Sequence, residues 1–203
     1  MSKMEWANFM YVRWKNMLTI EDIVDYAVVI RNLLSDIAEN KKYESFDETD
    51  METVVKKLGG EILFSDNPSY NGSRAGLTKT KNSFKIFIRK EEPLKNKRFL
   101  FAHELGHLIL HWKFLIDNAS FNEIAIGTTA YKNPEEDFSQ YDNKEREATL
   151  FADEILLPRK LFKHLFDGYM ATSENFQEVI DRLAKRFDVS QIMVLNRMTD
   201  LGL

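Results

Sequence analysis

The chain contains no cysteine. Disulfides and thiolate metal ligands are excluded, and the composition suits a reducing cytoplasm. No apolar run approaches the roughly 18 residues of a membrane span. The first residues, Met1-Ser2-Lys3-Met4-Glu5-Trp6, lack the apolar stretch and small-residue cleavage site of a signal peptide. The expectation is a soluble, globular, cytoplasmic protein. Positive charge is not in excess: the net charge is −4 and the pI near 5.7, which argues against nucleic-acid binding by the chain as a whole. The densest local basic stretch, Arg89-Lys90 with Lys95-Asn96-Lys97-Arg98, reads equally as the solvated rim of a substrate cleft. Internal repeats and low-complexity tracts are missing too. What is plentiful is core material, since 44% of the 203 residues are hydrophobic and fifteen are phenylalanine.

Histidine is scarce, with four residues, yet three of them are His103, His107 and His111. The run His103-Glu104-Leu105-Gly106-His107 is the HExxH signature of zinc hydrolases. Residues four apart on an α-helix lie one turn above each other, so His103 and His107 can converge on one metal ion. Glu104, beside the first ligand, is then placed to take a proton from water as a general base. Phe99, Leu100, Phe101, Ala102, Leu105, Leu108, Ile109 and Leu110 make the segment apolar on nearly every side, as suits a buried helix. Pro93 fits just before its start. The bland alternative is a set of core histidines satisfied by backbone groups, but three imidazoles bring six nitrogens that need partners.

Eight residues of helix separate His111 from His103, an axial rise of about 12 Å. One zinc with bonds of about 2.1 Å cannot reach both ends of that span. The metzincin pattern is excluded as well, because Leu110 and Lys113 stand where it needs glycine and histidine. His111 therefore reads as a residue behind the ligands, with stabilisation of the reaction intermediate as the minority reading. His164, the fourth histidine, reads as a helix-surface residue.

A catalytic zinc site needs a third protein ligand and an open position for water. Without cysteine, a downstream carboxylate is the natural candidate. On a helix, Glu145 shares a stripe with Ala148, Thr149, Ala152 and Leu156, a face of small and apolar residues that presses into a core. Glu147 falls on a different stripe, with Phe151 and Glu154. Glu145 is favoured over Glu147, and the bland alternative for either is an ordinary solvated helix glutamate.

The segment from Arg98-Phe99 to His111 resembles the ImmA/IrrE metallopeptidases in its core His-Glu-Leu-Gly-His-Leu-Ile-Leu-His. The segment from Glu145 to Pro158 resembles that family's second motif, a glutamate followed by Ala-Asn, Phe-Ala and Leu-Leu-x-Pro. A third echo runs from Val189-Ser190 through Arg197-Met198 to Leu201-Gly202-Leu203. The resemblance implies zinc on His103, His107 and Glu145, with Glu104 as the base. It also implies a partner that is a helix-turn-helix transcriptional repressor, cleaved to release genes of mobile elements or stress responses. Two positions depart from the pattern. Thr149 stands where the family has asparagine or aspartate, a position that can orient a metal-bound histidine, and Asp153 replaces a small residue.

The expected fold is α+β, a minimal zincin-like core in which a small three-stranded antiparallel or mixed sheet packs on the active-site helix. One domain spanning 1–203 is expected, with helical periphery at about 1–58 and about 159–203. The spacing predicts a helix over Ile20 to Ile37, with Thr19 or Asp22 as a cap, and a second from Asp47-Glu48-Thr49-Asp50 to Gly59-Gly60. Strands follow at Glu61 to Phe64, Arg74 to Thr78 and Ser83 to Arg89, the last two joined as a hairpin through Thr80-Lys81-Asn82. The strand Ser83 to Arg89 is the one expected to receive an extended substrate by strand addition. Asp117 to Asn143 reads as a long polar connection, either a cleft cover or a variable insertion. Helices then follow Pro158, through Phe162 and Phe166, over Glu178 to Phe187 and over Val189 to Met198. Tyr131, Tyr141 and His111 are available to stabilise an oxyanion, and no spacing argument selects among them. The competing function is a zinc-containing regulatory or toxin-antitoxin module that binds a partner and cleaves nothing.

Overall fold

The computed structural model describes residues 18–37, 46–66, 73–79, 83–112 and 138–203. Helix α1, Ile20–Ile37, begins at a reciprocal cap in which the Thr19 amide donates to Asp22 Oδ2 at 3.0 Å and the Asp22 amide donates to Thr19 Oγ1 at 3.2 Å. Helix α2, Glu48–Lys57, carries the same device between Asp47 and Asp50 and stops at Gly59, whose φ of 86° is left-handed and favours glycine. Strands β1 (Glu61–Phe64), β2 (Ala75–Lys79) and β3 (Phe84–Ile88) follow. Helix α3, Leu94–Gly106, starts directly after Pro93 and runs into a π-helical turn, His107–His111. Helices α4 (Phe138–Leu156), α5 (Arg159–Met170), α6 (Phe176–Phe187) and α7 (Gln191–Leu201) complete the described elements. The class is α+β, as expected.

The sheet is mixed, in the order β1-β3-β2. β1 pairs with β3 in parallel, Glu61 opposite Lys85, and β2 pairs with β3 antiparallel, Lys79 opposite Phe84. The hairpin pairing is therefore present, while its turn at 80–82 lies outside the described residues. One expectation is corrected. β3 cannot add a substrate strand, because its backbone groups are already paired on both sides and Phe84, Ile86, Phe87 and Ile88 are buried. Among the described residues, β1 and β2 are the edge strands of the sheet.

Of the polar stretch expected from Asp117 to Asn143, residues 117–137 lie outside the described residues, and from Phe138 onward it belongs to α4. Its apolar Phe138 and Leu150 to Leu156 bracket a helix-compatible run without glycine or proline, so the polar residues 139–143 extend the helix. Tyr131 lies outside the described residues, as does the side chain of Tyr141.

The basic stretch is divided: Lys90 and Lys95 stay exposed, while Lys97 and Arg98 turn inward, contrary to both readings of those two residues. Lys97 and Arg98 are only 6% and 4% exposed. Lys97 Nζ donates to Glu48 Oε1 at 2.6 Å. Arg98 donates to the Phe46 carbonyl at 2.7 Å and to the Asp188 carbonyl and carboxylate at 3.1 and 2.6 Å. These cations fasten α3 to the segments before α2 and after α6, so they form neither a nucleic-acid patch nor a solvated rim. Their local sequence resembles a surface because charge alone does not reveal a partner 49 to 90 residues away.

α3 and α4 meet at a glycine. A Cβ placed on Gly106 would stand 3.0 Å from Ala148 Cα, 3.2 Å from the Ala148 carbonyl oxygen and 3.2 Å from the Phe151 ring. Two of those three neighbours are backbone and cannot swing aside. Gly106→Ala is expected to push the helices apart and lower stability by about 1–3 kcal/mol, the cost of overpacking. Urea unfolding of the variant with an unchanged midpoint would show that the contact has slack.

Candidate metal centre

α3 carries His103, Glu104 and, at its end, His107, while α4 carries Glu145. Because Gly106 lets the two helices touch, the imidazoles of one face the carboxylate of the other. His103 Nε2 lies 3.1 Å from His107 Nε2. Glu145 Oε2 lies 3.2 Å from His103 Nε2, and Oε1 lies 3.2 Å from His107 Nε2. One ligand atom from each of these three residues lies within 4.8 Å of the others. Four-coordinate zinc with bonds of about 2.1 Å sets its ligand atoms about 3.4 Å apart. The observed separations fall just short of that value, so two nitrogens and a carboxylate already surround a point that fits such an ion.

The electrostatics divide the two carboxyls. Burial alone would raise the Glu145 pKa, but the hydrogen bonds and charges of His103 and His107 hold it well below the usual carboxylate range. Glu104 is 3% exposed and is pushed up to about 8 by burial and by the nearby Glu145 charge. Its Oε2 is buried without a hydrogen-bond partner among the described residues. An orphan oxygen in a dry position beside the ligands is what a base awaiting a water would present. Burial lowers the His107 pKa, opposed by its hydrogen bond to Glu145, which favours the neutral imidazole that metal binding needs.

Two contacts lie behind the ligands. Thr149 Oγ1 stands 3.4 Å from His103 Nδ1, long for a hydrogen bond. His111 Nδ1 stands 2.9 Å from His107 Nδ1, and His111 Nε2 stands 3.0 Å from Glu147 Oε2. Glu147 is thus placed against His111, away from the three-residue cluster, and His111 does not join that cluster. The pairing of His111 with Glu147 was not visible in the sequence. The helical wheel places Glu147 off the core stripe, and the π-turn that brings His111 round has no spacing signature. His164 is exposed.

The sequence from residue 55 to residue 199 matches the family model described as the peptidase M78, IrrE N-terminal-like domain. The chain belongs to the ImmA/IrrE metallopeptidase family. The match spans the histidine motif, the Glu145 segment, the sheet and most of the C-terminal helices. No curated protein matches the sequence. Among the described residues no helix is long and apolar enough to cross a membrane.

Asp153, one of the two departures from the family pattern, sits two turns beyond Glu145 on α4 and is 4% exposed. Burial pushes its pKa up to about 7; Arg197 opposes this, and Asp200 and Glu154 add to it. The folded state therefore holds this proton to higher pH than the unfolded chain, which releases it near 3.9. The stability gained by staying protonated is present below that value and is lost as pH rises towards 7. Asparagine mimics the protonated acid. Asp153→Asn should match the wild type near pH 4 and exceed it by about 1–3 kcal/mol above pH 7. Chemical denaturation at both pH values checks this, and a difference that does not change with pH would show that the carboxylate is hydrated.

Proposed function

We propose that this chain is a zinc-dependent peptidase of the cytoplasm that cleaves a partner protein, a helix-turn-helix transcriptional repressor, and so relieves repression of a mobile element or stress response. The observation that carries the peptidase reading is the convergence of His103, His107 and Glu145 next to a buried Glu104 with an unpartnered oxygen. The repressor as partner rests on the family resemblance.

His103, His107 and Glu145 would hold the metal, and the N,N,O donor set suits zinc. Zinc bound there supplies Lewis acidity towards water and the scissile carbonyl. Glu104 contributes the proton chemistry. Its carboxylate takes the proton from the attacking water and hands it to the leaving amine, a cycle in which the residue returns to its starting state. Burial favours the protonated form of Glu104 and so makes its carboxylate a stronger base than an exposed glutamate. With a cation at the ligands, that pKa would be drawn down again, and Glu104 would stay available as a base near neutral pH. Among the described residues β1 and β2 are the edge strands, on which an extended substrate segment would dock.

Metal analysis of the purified protein is expected to give about one zinc per chain, and His103→Ala or His107→Ala to abolish it, since two ligands make a poor site. Glu145→Gln should weaken zinc affinity far more than Glu147→Gln. Full zinc retention in both histidine variants would move the metal elsewhere.

Glu104→Gln keeps the side chain's size and removes its basicity. Metal content and folding are expected to survive, while repressor cleavage falls by at least about 100-fold, the low end of a general base's contribution. Co-expression with the repressor, followed as repressor fragments and reporter induction, is the measurement. Equal induction by the wild type and Glu104→Gln with the repressor intact in both would leave a partner-binding module that cleaves nothing.

A further inference from the structure

We infer that Glu147 and His111 form a hydrogen-bonded relay that fixes which nitrogen of His107 faces the metal, making them positioning residues for the site. The inference rests on the metal reading above and goes beyond it, since neither residue belongs to the three-residue ligand cluster.

The argument is one of donors and acceptors. A neutral imidazole has one N–H and one lone pair. For His107 to offer Nε2 to a cation, its hydrogen must sit on Nδ1. Nδ1 lies 2.9 Å from His111 Nδ1, so His111 Nδ1 must accept. The hydrogen of His111 then sits on Nε2, 3.0 Å from Glu147 Oε2, where a carboxylate accepts it. Every contact is satisfied by this arrangement. The opposite one sets the lone pair of His111 Nε2 against the Glu147 carboxylate and two N–H groups against each other at 2.9 Å.

Burial makes the distinction matter. The His107 and His111 side chains are 8% and 7% exposed, so water is a poor substitute for either partner. The π-turn supplies the geometry. The Trp112 amide bonds the His107 carbonyl at 3.1 Å, five residues back, which brings the two rings to a centroid distance of 5.0 Å. Glu145 and Glu147 flank Ala148, the residue that Gly106 contacts. One helix thus sends a carboxylate to the ligands on one side and a carboxylate to the relay on the other. His103 has only the 3.4 Å contact with Thr149 in the equivalent role.

The test uses the full chain and reads zinc affinity by chelator competition, together with the visible spectrum of the cobalt-substituted protein. Outer partners of this kind are worth about 10–100-fold in metal affinity. His111→Phe, which removes the acceptor but keeps a flat ring, is expected to lose affinity in that range and to alter the cobalt bands. His111→Gln, whose carbonyl can accept from His107, should recover most of the loss. Glu147→Gln retains an acceptor and should stay within about threefold of the wild type. Glu147→Lys, a donor only, reverses the polarity of the relay and should lose more than Glu147→Ala. Thr149→Val should lose less than His111→Phe. In the zinc-loaded wild type, long-range proton–nitrogen NMR should find the His111 hydrogen on Nε2. Wild-type affinity and cobalt spectrum in His111→Phe, or a hydrogen on His111 Nδ1, overturns the relay alone. A wild type that binds neither zinc nor cobalt overturns the metal reading and the relay with it.

Discussion

The site depends on how closely two helices approach. His103 and His107 come from α3 and its π-helical continuation, while Glu145 comes from α4. A shared metal point requires their side chains to meet within a few ångströms. Gly106 makes this possible, because its bare Cα lets the Ala148 backbone come to where a methyl group would otherwise stand. Packed interiors yield little to added volume. The glycine inside the histidine motif is therefore part of the ligand geometry, although it supplies no ligand.

Ion pairs hold the surrounding elements to these two helices, and of them Glu154–Arg197 is buried on both sides, whereas Asp188 in the pair with Arg98 is partly exposed. Glu154 on α4, 2% exposed, receives the Arg159 side chain at 2.6 Å and is also paired with Arg197, which is fully buried on α7 and donates to the Leu157 carbonyl. Arg98 binds Asp188, a left-handed residue at the C-terminus of α6, through both its carbonyl and its carboxylate. Breaking one partner of a buried pair costs about 3–5 kcal/mol, because it strands a charge. An exposed pair such as Lys163 with Asp167 contributes less than about 1 kcal/mol. The arginines near both motifs thus secure α6 and α7 against the metal helices. Stability explains them without any role in substrate binding.

The sequence made some parts of this arrangement legible and concealed others. Local patterns could be read directly: the four-residue spacing of His103 and His107, the small-residue stripe that puts Glu145 inward, the helix start at Asp47-Glu48-Thr49-Asp50, and the alternation in β3. Strand order could not be read in this way. Local alternation says that Phe84 to Ile88 is a strand, but only the chain's return at β1 and β2 makes it central. The inward turn of Lys97 and Arg98 was hidden for the same reason, since their partners are Glu48 and Asp188, far away in sequence. The relay escaped on different grounds. Reading the helix as regular to its end carries His111 about 12 Å along the axis from His103, and the π-turn departs from that assumption at the residue in question.

The two glutamates closest to the ligand histidines show how position assigns chemistry. Glu104 and Glu145 have the same side chain and the same ordinary pKa. Glu145 meets two imidazoles at 3.2 Å, and their hydrogen bonds and charges outweigh its desolvation. It stays ionised, as a ligand must. Glu104 is buried without such partners and lies within the field of Glu145, so both influences raise it. In the proposed reaction it is therefore the base, and its charge would be favoured by a cation at the ligands. The pair works as a unit: by staying ionised, Glu145 raises Glu104, and a metal held by Glu145 would relieve the same repulsion. Under the proposed function, filling the site and arming the base would then be one event, because the charge that completes the ligand set would also be the charge that Glu104 lacks.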